Sequence, residues 1–247
     1  MAFKEVFKRV EKKYMLTSEQ YESFLPALNE HMQADEYGDS LIMNIYYDSP
    51  NYSLIRRSID KPVYKEKIRL RCYGVPKDDT VTFVELKKKY KGVVFKRRIS
   101  MKYADALKFL AGEKPPKDSQ IAREIKWSLD YYANLKPAVV LSYRRVAYFG
   151  REDPDFRMTF DREILWRDTD VDLSLGPYGE ALLPEGTRLM EVKFADAAPL
   201  WLVDEMGRLN MYPTSFSKYG TAYKSIFMSA HGTDEKNKIS IGEKADV

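Results

Sequence analysis

The sequence is poor in the residues that several common catalytic centres require. One cysteine, Cys72, and two histidines, His31 and His231, occur among 247 residues. A single cysteine excludes an internal disulfide and any zinc site built from several cysteines. Its place on an apolar strand face predicts a buried thiol. The histidines fall on an expected outer helix and in a polar C-terminal stretch, which leaves little room for a serine–histidine triad.

Long apolar runs and phosphate-binding loops are also missing. No stretch approaches the roughly 20 apolar residues of a membrane-spanning helix, and the first residues lack the apolar run of a signal peptide. We therefore expect a cytoplasmic protein. No G-x-x-x-x-G-K-[ST] motif and no G-x-G-x-x-G motif after a strand occurs, so neither a P-loop nor a dinucleotide fold is predicted.

Positive charge is concentrated in one segment. The whole chain carries a formal net charge of +4, whereas residues 56–102 contain 16 Lys and Arg against 5 Asp and Glu. Such a segment attracts polyanions, whether phosphate chains, nucleotides, nucleic acid or an anionic membrane. The 18 tyrosines could suggest stacking on nucleobases. Because they are dispersed over strands and helices, positions at the edge of the core are the better interpretation.

Within this segment, charged side chains recur at every second position of three predicted strands. They are Lys67, Arg69 and Arg71, then Glu85, Lys87 and Lys89, then Lys96 and Arg98. The same spacing recurs near both ends of the chain, in Arg9, Glu11 and Lys13 and in Glu191 and Lys193. In a strand this spacing places each set on one face of a sheet. Apolar residues such as Ile68 and Leu70 occupy the opposite face.

The remaining pattern predicts helices and strands mixed in a single domain. Strands are expected over residues 4–15, 41–47, 138–149, 156–165 and 188–194. Helices are expected from a capping box at Thr17 to Met32, from a Ser49 cap through Arg57, and over 103–111, 119–134, 200–209 and 219–228. A tail from Ser229 has too little apolar content to fold by itself. We therefore predict one domain, 1–228, followed by a disordered segment, 229–247.

The two-faced strands predict how the sheet is arranged. If helices cover the apolar faces, the charged faces converge, because a large antiparallel sheet tends to curl and close. The expected fold is therefore α+β, with a closed antiparallel β-barrel whose polar, cationic lumen is surrounded by α-helices. Such a lumen needs water and a polyanion, since buried unpaired charge is costly. An open sheet whose charged face meets water is the alternative that periodicity leaves open.

Eight short motifs, in order, resemble those of the VTC domain. They are R-V-E-K-K-Y, K-I-R-L-R, V-E-L-K-K-K, V-F-K-R-R, S-Y-R-R-V-A-Y, F-R-M-T-F-D-R, M-E-V-K-F and F-S-K-Y, and they span about residues 7–219. The VTC domain is the polyphosphate polymerase branch of the triphosphate tunnel metalloenzymes, whose wider group includes the CYTH phosphatases and cyclases. The resemblance implies a closed antiparallel triphosphate tunnel.

The resemblance also implies roles for individual residues. The cations that match the phosphate-binding, catalytic lining are Lys13, Arg69, Arg71, Lys87, Lys96, Arg98, Arg145, Arg157, Lys193 and Lys218; the first five and Arg145 are assigned to cofactor binding as well. Glu191 matches the metal-binding carboxylate. Glu11 and Glu85 match further acidic positions, as second metal ligands or as partners of nearby cations. Mn²⁺ or Mg²⁺ is the expected ion, since both prefer oxygen ligands. Arg97 and Arg144 fall on the other face.

Two positions depart from the family pattern. The hydrolytic tunnel enzymes begin with E-x-E-x-K, whereas Arg9 occupies the first acidic position here. Two-metal hydrolysis needs enough carboxylates for a second ion, so this loss favours binding of a phosphate chain with one metal. Ser215 precedes Phe216 where some members carry a lysine. Only Lys218 is therefore assigned there, and we expect weaker phosphate binding on that side of the mouth.

These features predict a metal-dependent polyphosphate polymerase. It would transfer the γ-phosphate of ATP to a growing inorganic polyphosphate chain and release ADP. Two alternatives remain: a tunnel triphosphatase acting on inorganic or nucleoside triphosphate, and a non-catalytic module that binds polyphosphate or nucleic acid. The expected partners of the polymerase are ATP and polyphosphate, with no nucleic acid. Whether a membrane partner protein takes up the product is left open.

Overall fold

The computed structural model describes residues 10–91, 93–132 and 134–231. Arg9 and most of the predicted tail lie outside the described residues. The helices within them are α1 (Ser18–His31), α2 (Ser53–Ile59), α3 (Tyr103–Leu110), α4 (Gln120–Tyr132), α5 (Leu200–Arg208) and α6 (Lys218–His231). The strands are β1 (Val10–Leu16), β2 (Met32–Ala34), β3 (Ser40–Asp48), β4 (Tyr64–Tyr73), β5 (Val81–Tyr90), β6 (Val93–Lys102), β7 (Lys136–Gly150), β8 (Arg157–Arg167), β9 (Glu180–Ala181) and β10 (Arg188–Phe194). A short 3-10 turn spans Leu173–Leu175.

The strands form one antiparallel sheet. Its order is β1–β10–β8–β7–β3–β4–β5–β6, with β2 beside β7 and β9 beside β8. The three strands that alternating charge predicts are β4, β5 and β6, which are neighbours. Arg69 lies opposite Glu85, and Glu85 lies opposite Arg98. The charged residues therefore share one face, as their spacing predicts.

The prediction of a closed barrel is wrong, because the sheet is open. β1 and β6 are its two ends, and no ladder joins them in the described part of the chain. The free edge of β1 is taken instead by the segment before α6: Tyr14 bridges Pro213, and the Thr214 amide donates to the Lys13 carbonyl at 2.7 Å. Proline has no amide hydrogen and cannot continue a ladder, so this contact occupies the edge without extending the sheet.

The open sheet is nonetheless strongly curled. Lys13 on β1 donates to the Phe216 carbonyl, and Lys67 on β4 donates to the adjacent Ser217 hydroxyl, each at 3.1 Å. Four strands separate β1 from β4 in the sheet, a distance of roughly 24 Å if it were flat. Both lysines reach neighbouring residues only because the sheet curves around them. We call its concave side, which carries the alternating charges, the inner face.

Three apolar clusters surround the sheet, and one of them was not expected. On the outer face, α3 and α4 pack around Ile68 and Leu70, and α1 and α5 cover the other half. The third cluster lies on the inner face, where Tyr46 and Leu189 pack beneath α2 and α6. Helices therefore cover both sides of the sheet, and part of the inner face is dry core.

The start of α1 agrees with the sequence, whereas the start of α2 does not. Thr17 and Gln20 form the predicted capping box. The prediction that Ser49 caps a helix starting at Pro50 is wrong, since α2 begins at Ser53. The buried carboxylate of Asp48 accepts hydrogen bonds from the first turn of that helix instead.

Asp48 joins α2 to α6. Its carboxylate accepts from the amides of Leu54 at 2.9 Å and Ile55 at 3.0 Å, and from the Tyr219 hydroxyl at 2.8 Å. A carboxylate at a helix N-terminus satisfies free amides and favours the helix dipole. The Tyr219 ring stacks on Tyr46, with 4.5 Å between centroids. These contacts hold the first turn of α6 against the inner face.

In the described residues, every helix is too short or too polar to cross a bilayer. α6 continues to His231, three residues past the helix end expected from the sequence. The division at residue 228 and the cytoplasmic location remain predictions.

Candidate functional site

The inner face brings together all ten predicted cations. Strand register and α6 contacts place Lys13, Arg69, Arg71, Lys87, Lys96, Arg98, Arg145, Arg157, Lys193 and Lys218 there. Nine come from strands, where alternate positions share a face. Lys218 is the first residue of α6. Among these cations lie the carboxylates of Glu11, Glu85, Asp161 and Glu191.

Glu85 neutralises one group of cations. Arg69 donates from Nε to its Oε2 at 2.6 Å, Arg98 donates from Nε to its Oε1 at 2.6 Å, and Lys96 Nζ lies 2.8 Å from the same Oε1. The residue is 1% exposed. Burial alone raises the pKa of Glu85, but Arg69, Arg71 and Lys96 lower it well below its ordinary value. With both oxygens engaged, Glu85 fits the role of a partner for cations and does not fit that of a metal ligand.

Asp161 neutralises a second group and was missed by the sequence reasoning. Arg145 Nη2 donates to its Oδ2 at 2.7 Å, and Lys218 Nζ contacts the same oxygen. Asp161 is fully buried, and burial favours the neutral acid; the nearby Lys218 and Arg145 nevertheless lower its pKa. A usable signal was present, because Asp161 lies four residues after Arg157 and so shares its strand face.

Glu191 lies beside this group with more distant partners. Lys13 Nζ is 3.3 Å from its Oε1, Lys218 Nζ is 3.7 Å from Oε1, and Arg145 Nη2 is 3.7 Å from Oε2. Burial opposes ionisation, but Lys218, Lys13 and Arg145 lower the pKa of Glu191 well below its ordinary value. The carboxylate is thus ionised at neutral pH and is less tightly held than Glu85 or Asp161.

Glu191 and Glu11 are the carboxylates that fit a divalent ion. Lys13 Nζ lies within 4 Å of both, at 3.3 Å from Glu191 and 3.9 Å from Glu11. No cluster of three or more acidic, histidine or cysteine side chains that could hold a metal occurs in residues 10–91, 93–132 and 134–231. Mg²⁺ is commonly held by one or two carboxylates together with substrate phosphates. The donors present fit that mode and do not fit an all-protein cage.

Polar side chains fix the two arginines at the centre of β4. Arg71 donates from Nε to the Asn44 amide oxygen at 2.9 Å and from Nη2 to the Tyr143 hydroxyl at 3.0 Å. Arg69 donates from Nη1 to the Tyr46 hydroxyl at 3.0 Å. Burial alone raises the pKa of Tyr46, but Arg69, Lys67 and Arg71 lower it to about 8. Both guanidinium groups are therefore oriented before any ligand binds.

The positive charges of Lys67 and Lys193 are disfavoured by their surroundings. Burial, followed by repulsion from Lys87, Lys65 and Lys13, lowers the pKa of Lys67 to about 8, against an opposing effect of Tyr46. Burial also lowers the pKa of Lys193, helped by Arg145 and Lys87 and opposed by Glu191 and Glu11. A phosphate chain placed among these amines would stabilise their charged forms.

Lys87 and Arg157 are exposed and available. Among the described residues, neither side chain forms a hydrogen bond or ion pair with another. Arg97 and Arg144 lie on the outer face as their parity predicts, where they bond to Glu124 at 2.7 Å and Asp39 at 2.8 Å. The inner-face cations thus differ in whether a carboxylate already occupies them or they are free to bind a phosphate.

The predicted non-catalytic residues lie away from the inner face. Cys72 is buried in the outer cluster, and burial raises the pKa of its thiol to about 12. His31 stacks on Trp201 with 4.5 Å between ring centroids, between α1 and α5. His31 therefore lies at the end of α1, away from the inner face.

The chain is similar to known proteins over most of its length. A family model of the VTC domain matches residues 8–227. A proposed adenylate cyclase from Bacillus halodurans has a similar solved structure, with a TM-score of 0.52 and 12% identity over 85% of this chain and 93% of that one. A proposed adenylyl cyclase from Hippeastrum, described as having a dominant triphosphatase activity, gives a TM-score of 0.52 and 14% identity over 92% of this chain and 99% of that one. At these identities the likeness concerns the fold alone. A search of curated proteins finds no match.

Proposed function

Because this chain belongs to the VTC domain family, as its eight motifs predicted, we propose that it is a metal-dependent polyphosphate polymerase. It transfers the γ-phosphate of ATP to a growing inorganic polyphosphate chain and releases ADP. Family membership supports the broader statement that the protein is an enzyme acting on triphosphates or polyphosphate. The choice of polymerase over hydrolase rests on the charges of the inner face.

The choice of polymerase rests on one observation: the two most deeply buried inner-face carboxylates pair closely with cations. Glu85 is shared by three cations and Asp161 by two. These buried acids set the positions of arginines and lysines. Glu191 and Glu11, whose cation partners lie at 3.3 Å or more, are the acids that could hold a metal. A two-metal mechanism needs ligands for both ions. The inner face therefore suits the binding of a long polyanion with one ion better than two-metal activation of water.

The transfer itself needs little chemistry from the protein. A terminal oxygen of the polyphosphate chain attacks the γ-phosphorus of ATP, the bond from that phosphorus to the β–γ bridging oxygen breaks, and ADP leaves with the electron pair. The attacking oxygen is already ionised, so no general base is required. Phosphoryl transfer depends mainly on positioning and on stabilising charge on the transferred group.

The inner-face cations provide both effects. Arg69 and Arg71 present planar groups whose orientation is fixed by Glu85, Asn44 and hydroxyls, and such groups bind phosphate oxygens two at a time. Among the described residues, Lys87 and Arg157 have no hydrogen-bond or ion-pair partner to give up. We propose that the fixed arginines position the reacting phosphates and that the free cations guide the chain.

Glu191, assisted by Glu11, would hold the divalent ion. An ion there supplies neutralisation of the nucleotide phosphates and polarisation of the transferred group. Lys13, which lies between the two carboxylates, would move from them to a phosphate oxygen. The ion is proposed as Mn²⁺ or Mg²⁺, since the donors are oxygens.

Product analysis tests the proposal. Purified protein is incubated with ATP, a short polyphosphate primer and Mn²⁺ or Mg²⁺, and ADP, orthophosphate and chain length are measured. We expect ADP together with longer chains. Orthophosphate as the main product, without chain growth, would overturn the polymerase in favour of a triphosphatase. Salt-sensitive binding of polyphosphate with no turnover would support a binding module instead.

A further inference from the structure

The end of the β5–β6 hairpin exposes apolar side chains. Val93 is 57% exposed, Val94 47% and Phe95 46%, and Tyr90 pairs with Val93 across the hairpin. Large apolar side chains grouped on a surface commonly mark a binding site. This group lies beyond the predicted phosphate-binding residues, since Lys96 and Arg98 begin only after Phe95 along β6.

The apolar residues lie on both faces of the hairpin. Val94 shares the inner face with Lys96, while Val93 and Phe95 point to the outer face, because side chains alternate along a strand. A folded protein that docks on a sheet covers one face. A hairpin end that is apolar on both faces is buried completely only if it inserts into its binding partner. The boundary between head groups and acyl chains of a lipid bilayer permits such insertion.

The segment that forms this hairpin end is rich in positively charged residues and has no acidic ones. Residues 87–98 contain seven Lys and Arg and no Asp or Glu. Two of them are engaged by carboxylates on the outer face, Lys88 by Glu66 at 3.4 Å and Arg97 by Glu124 at 2.7 Å. Lys89 and Lys91 are exposed and have no carboxylate partner among the described residues. These two lysines give the hairpin end its attraction for an anionic surface.

An aromatic pair on α4 lies beside the hairpin. The Trp127 and Tyr131 rings stack with 5.1 Å between centroids, and both side chains are exposed. Lys88 Nζ lies 5.8 Å from the Trp127 ring, and Lys88 faces Phe95 across the ladder. Tryptophan and tyrosine favour the interface between lipid and water. The pair thus extends the same surface.

We propose that the β5–β6 hairpin end and the Trp127–Tyr131 pair bind the surface of an anionic lipid bilayer. Val93, Val94 and Phe95 enter the boundary between head groups and acyl chains, and Lys89 and Lys91 contact the acidic head groups. Single-stranded nucleic acid accounts for this surface less well, because its bases could stack on Phe95 and the aromatic pair but would leave Val93 and Val94 exposed. The proposal does not depend on the polymerase activity.

Vesicle co-sedimentation, without nucleotide or polyphosphate, tests the proposal. One vesicle preparation contains phosphatidylcholine alone, and the other contains equal parts of phosphatidylcholine and phosphatidylserine. We expect the 247-residue chain to bind the second preparation and to bind the first at least about tenfold more weakly. Added salt is expected to release the protein.

Matched variants separate the apolar and ionic contributions. We expect Val93→Ser combined with Val94→Ser to weaken binding about tenfold, whereas Val81→Ser, at the opposite end of the same hairpin and 58% exposed, leaves it unchanged. Lys89→Gln combined with Lys91→Gln should reduce both binding and its salt dependence, while Lys77→Gln combined with Lys102→Gln should not. An unchanged thermal midpoint confirms that each variant is folded.

Three results would overturn the proposal. They are failure of the wild type to bind either vesicle, equal binding by the wild type and the double serine variant, and self-association that the double serine variant abolishes in the absence of lipid. The last result would assign the surface to a second copy of the chain. Polyphosphate synthesis by the double serine variant remains measurable in each case, so failure here and failure of the polymerase proposal are distinguishable.

Discussion

Lys218, the first residue of α6, forms an ion pair with Asp161 in the middle of β8. Asp161 is fully buried and is hydrogen-bonded to Arg145 on β7. The start of the last helix is therefore held on the sheet by a charge that also orients a strand cation. Loss of this carboxylate would leave Lys218 and Arg145 with Glu191 alone as counter-charge, at 3.7 Å from each.

We expect Asp161→Asn to lower the free energy of unfolding by about 3–5 kcal/mol, because it breaks a buried ion pair from one side. Polyphosphate should restore part of the loss by supplying negative charge to Arg145 and Lys218. Urea unfolding with and without polyphosphate measures both effects. Asp39→Asn is the matched control, since Asp39 also bonds two arginines but is partly exposed; its cost should stay below about 1 kcal/mol. Similar costs for both variants would contradict the prediction.

Glu85→Gln should also destabilise the protein, with a defined pH dependence. The folded-state pKa of Glu85 is lowered, so its stabilisation is present in full above its unfolded pKa, near 4.3, and is lost as the pH falls below that value. The difference in unfolding free energy between wild type and variant should thus be about 3 kcal/mol or more at neutral pH and smaller near pH 3. Glu124→Gln, which removes a half-exposed partner of Arg97, is the control. A difference that does not depend on pH would count against this explanation.

Removal of the Glu191 carboxylate should separate catalysis from binding. We expect Glu191→Ala to reduce polyphosphate synthesis by at least about a hundredfold, because the proposed metal ligand is lost, while affinity for polyphosphate stays within about threefold. Synthesis is followed by product chain length and binding by calorimetry. Raising the concentration of the divalent ion should restore some activity to Glu191→Asp but not to Glu191→Ala. Unchanged synthesis by Glu191→Ala would exclude the proposed ligand.

Affinity for polyphosphate should fall as the pH rises through about 8. Lys67 loses its positive charge there, and Tyr46 gains a negative one; both changes oppose a polyanion. We expect a decrease of about tenfold between pH 7 and pH 9, measured by calorimetry at constant ionic strength. Lys67→Arg combined with Tyr46→Phe should flatten the profile, since neither new side chain titrates in this range. A profile that stays steep in this double variant would contradict the assignment.

The face on which a cation lies should determine its contribution to binding. Lys87→Gln removes a free inner-face charge, and Arg97→Gln removes a nearby outer-face charge that is bonded to Glu124. We expect Lys87→Gln to weaken polyphosphate binding about three- to tenfold and to reduce its salt dependence by about one charge. Arg97→Gln should change neither quantity. Equal effects would mean that polyphosphate is not confined to the inner face.

The placement of the inner-face cations was predictable because strand alternation is a local property. Lys67, Arg69 and Arg71 share a face wherever β4 lies in the sheet. The capping box at Thr17 is equally local. Asp161 obeys the same rule, since it lies four residues after Arg157 in the F-R-M-T-F-D-R motif.

Whether the sheet closes into a barrel was not predictable from the sequence, because closure depends on contacts between distant segments. Pro213 and Thr214 take the edge of β1, and no local pattern indicates this. The third apolar cluster, on the inner face, was not predicted for a related reason. Tyr46 and Leu189 have the same parity as the charged positions, and only the placement of α2 and α6 makes that part of the inner face dry.

The open edges of the sheet have a consequence for how a polymer leaves it. With no ladder between β1 and β6 in the described residues, the sheet itself does not encircle a bound chain. Such a chain is retained by ion pairs, each of which breaks and re-forms independently, and it need not be unthreaded from one end. Residence time, and with it the number of phosphates added per encounter, should therefore follow ionic strength.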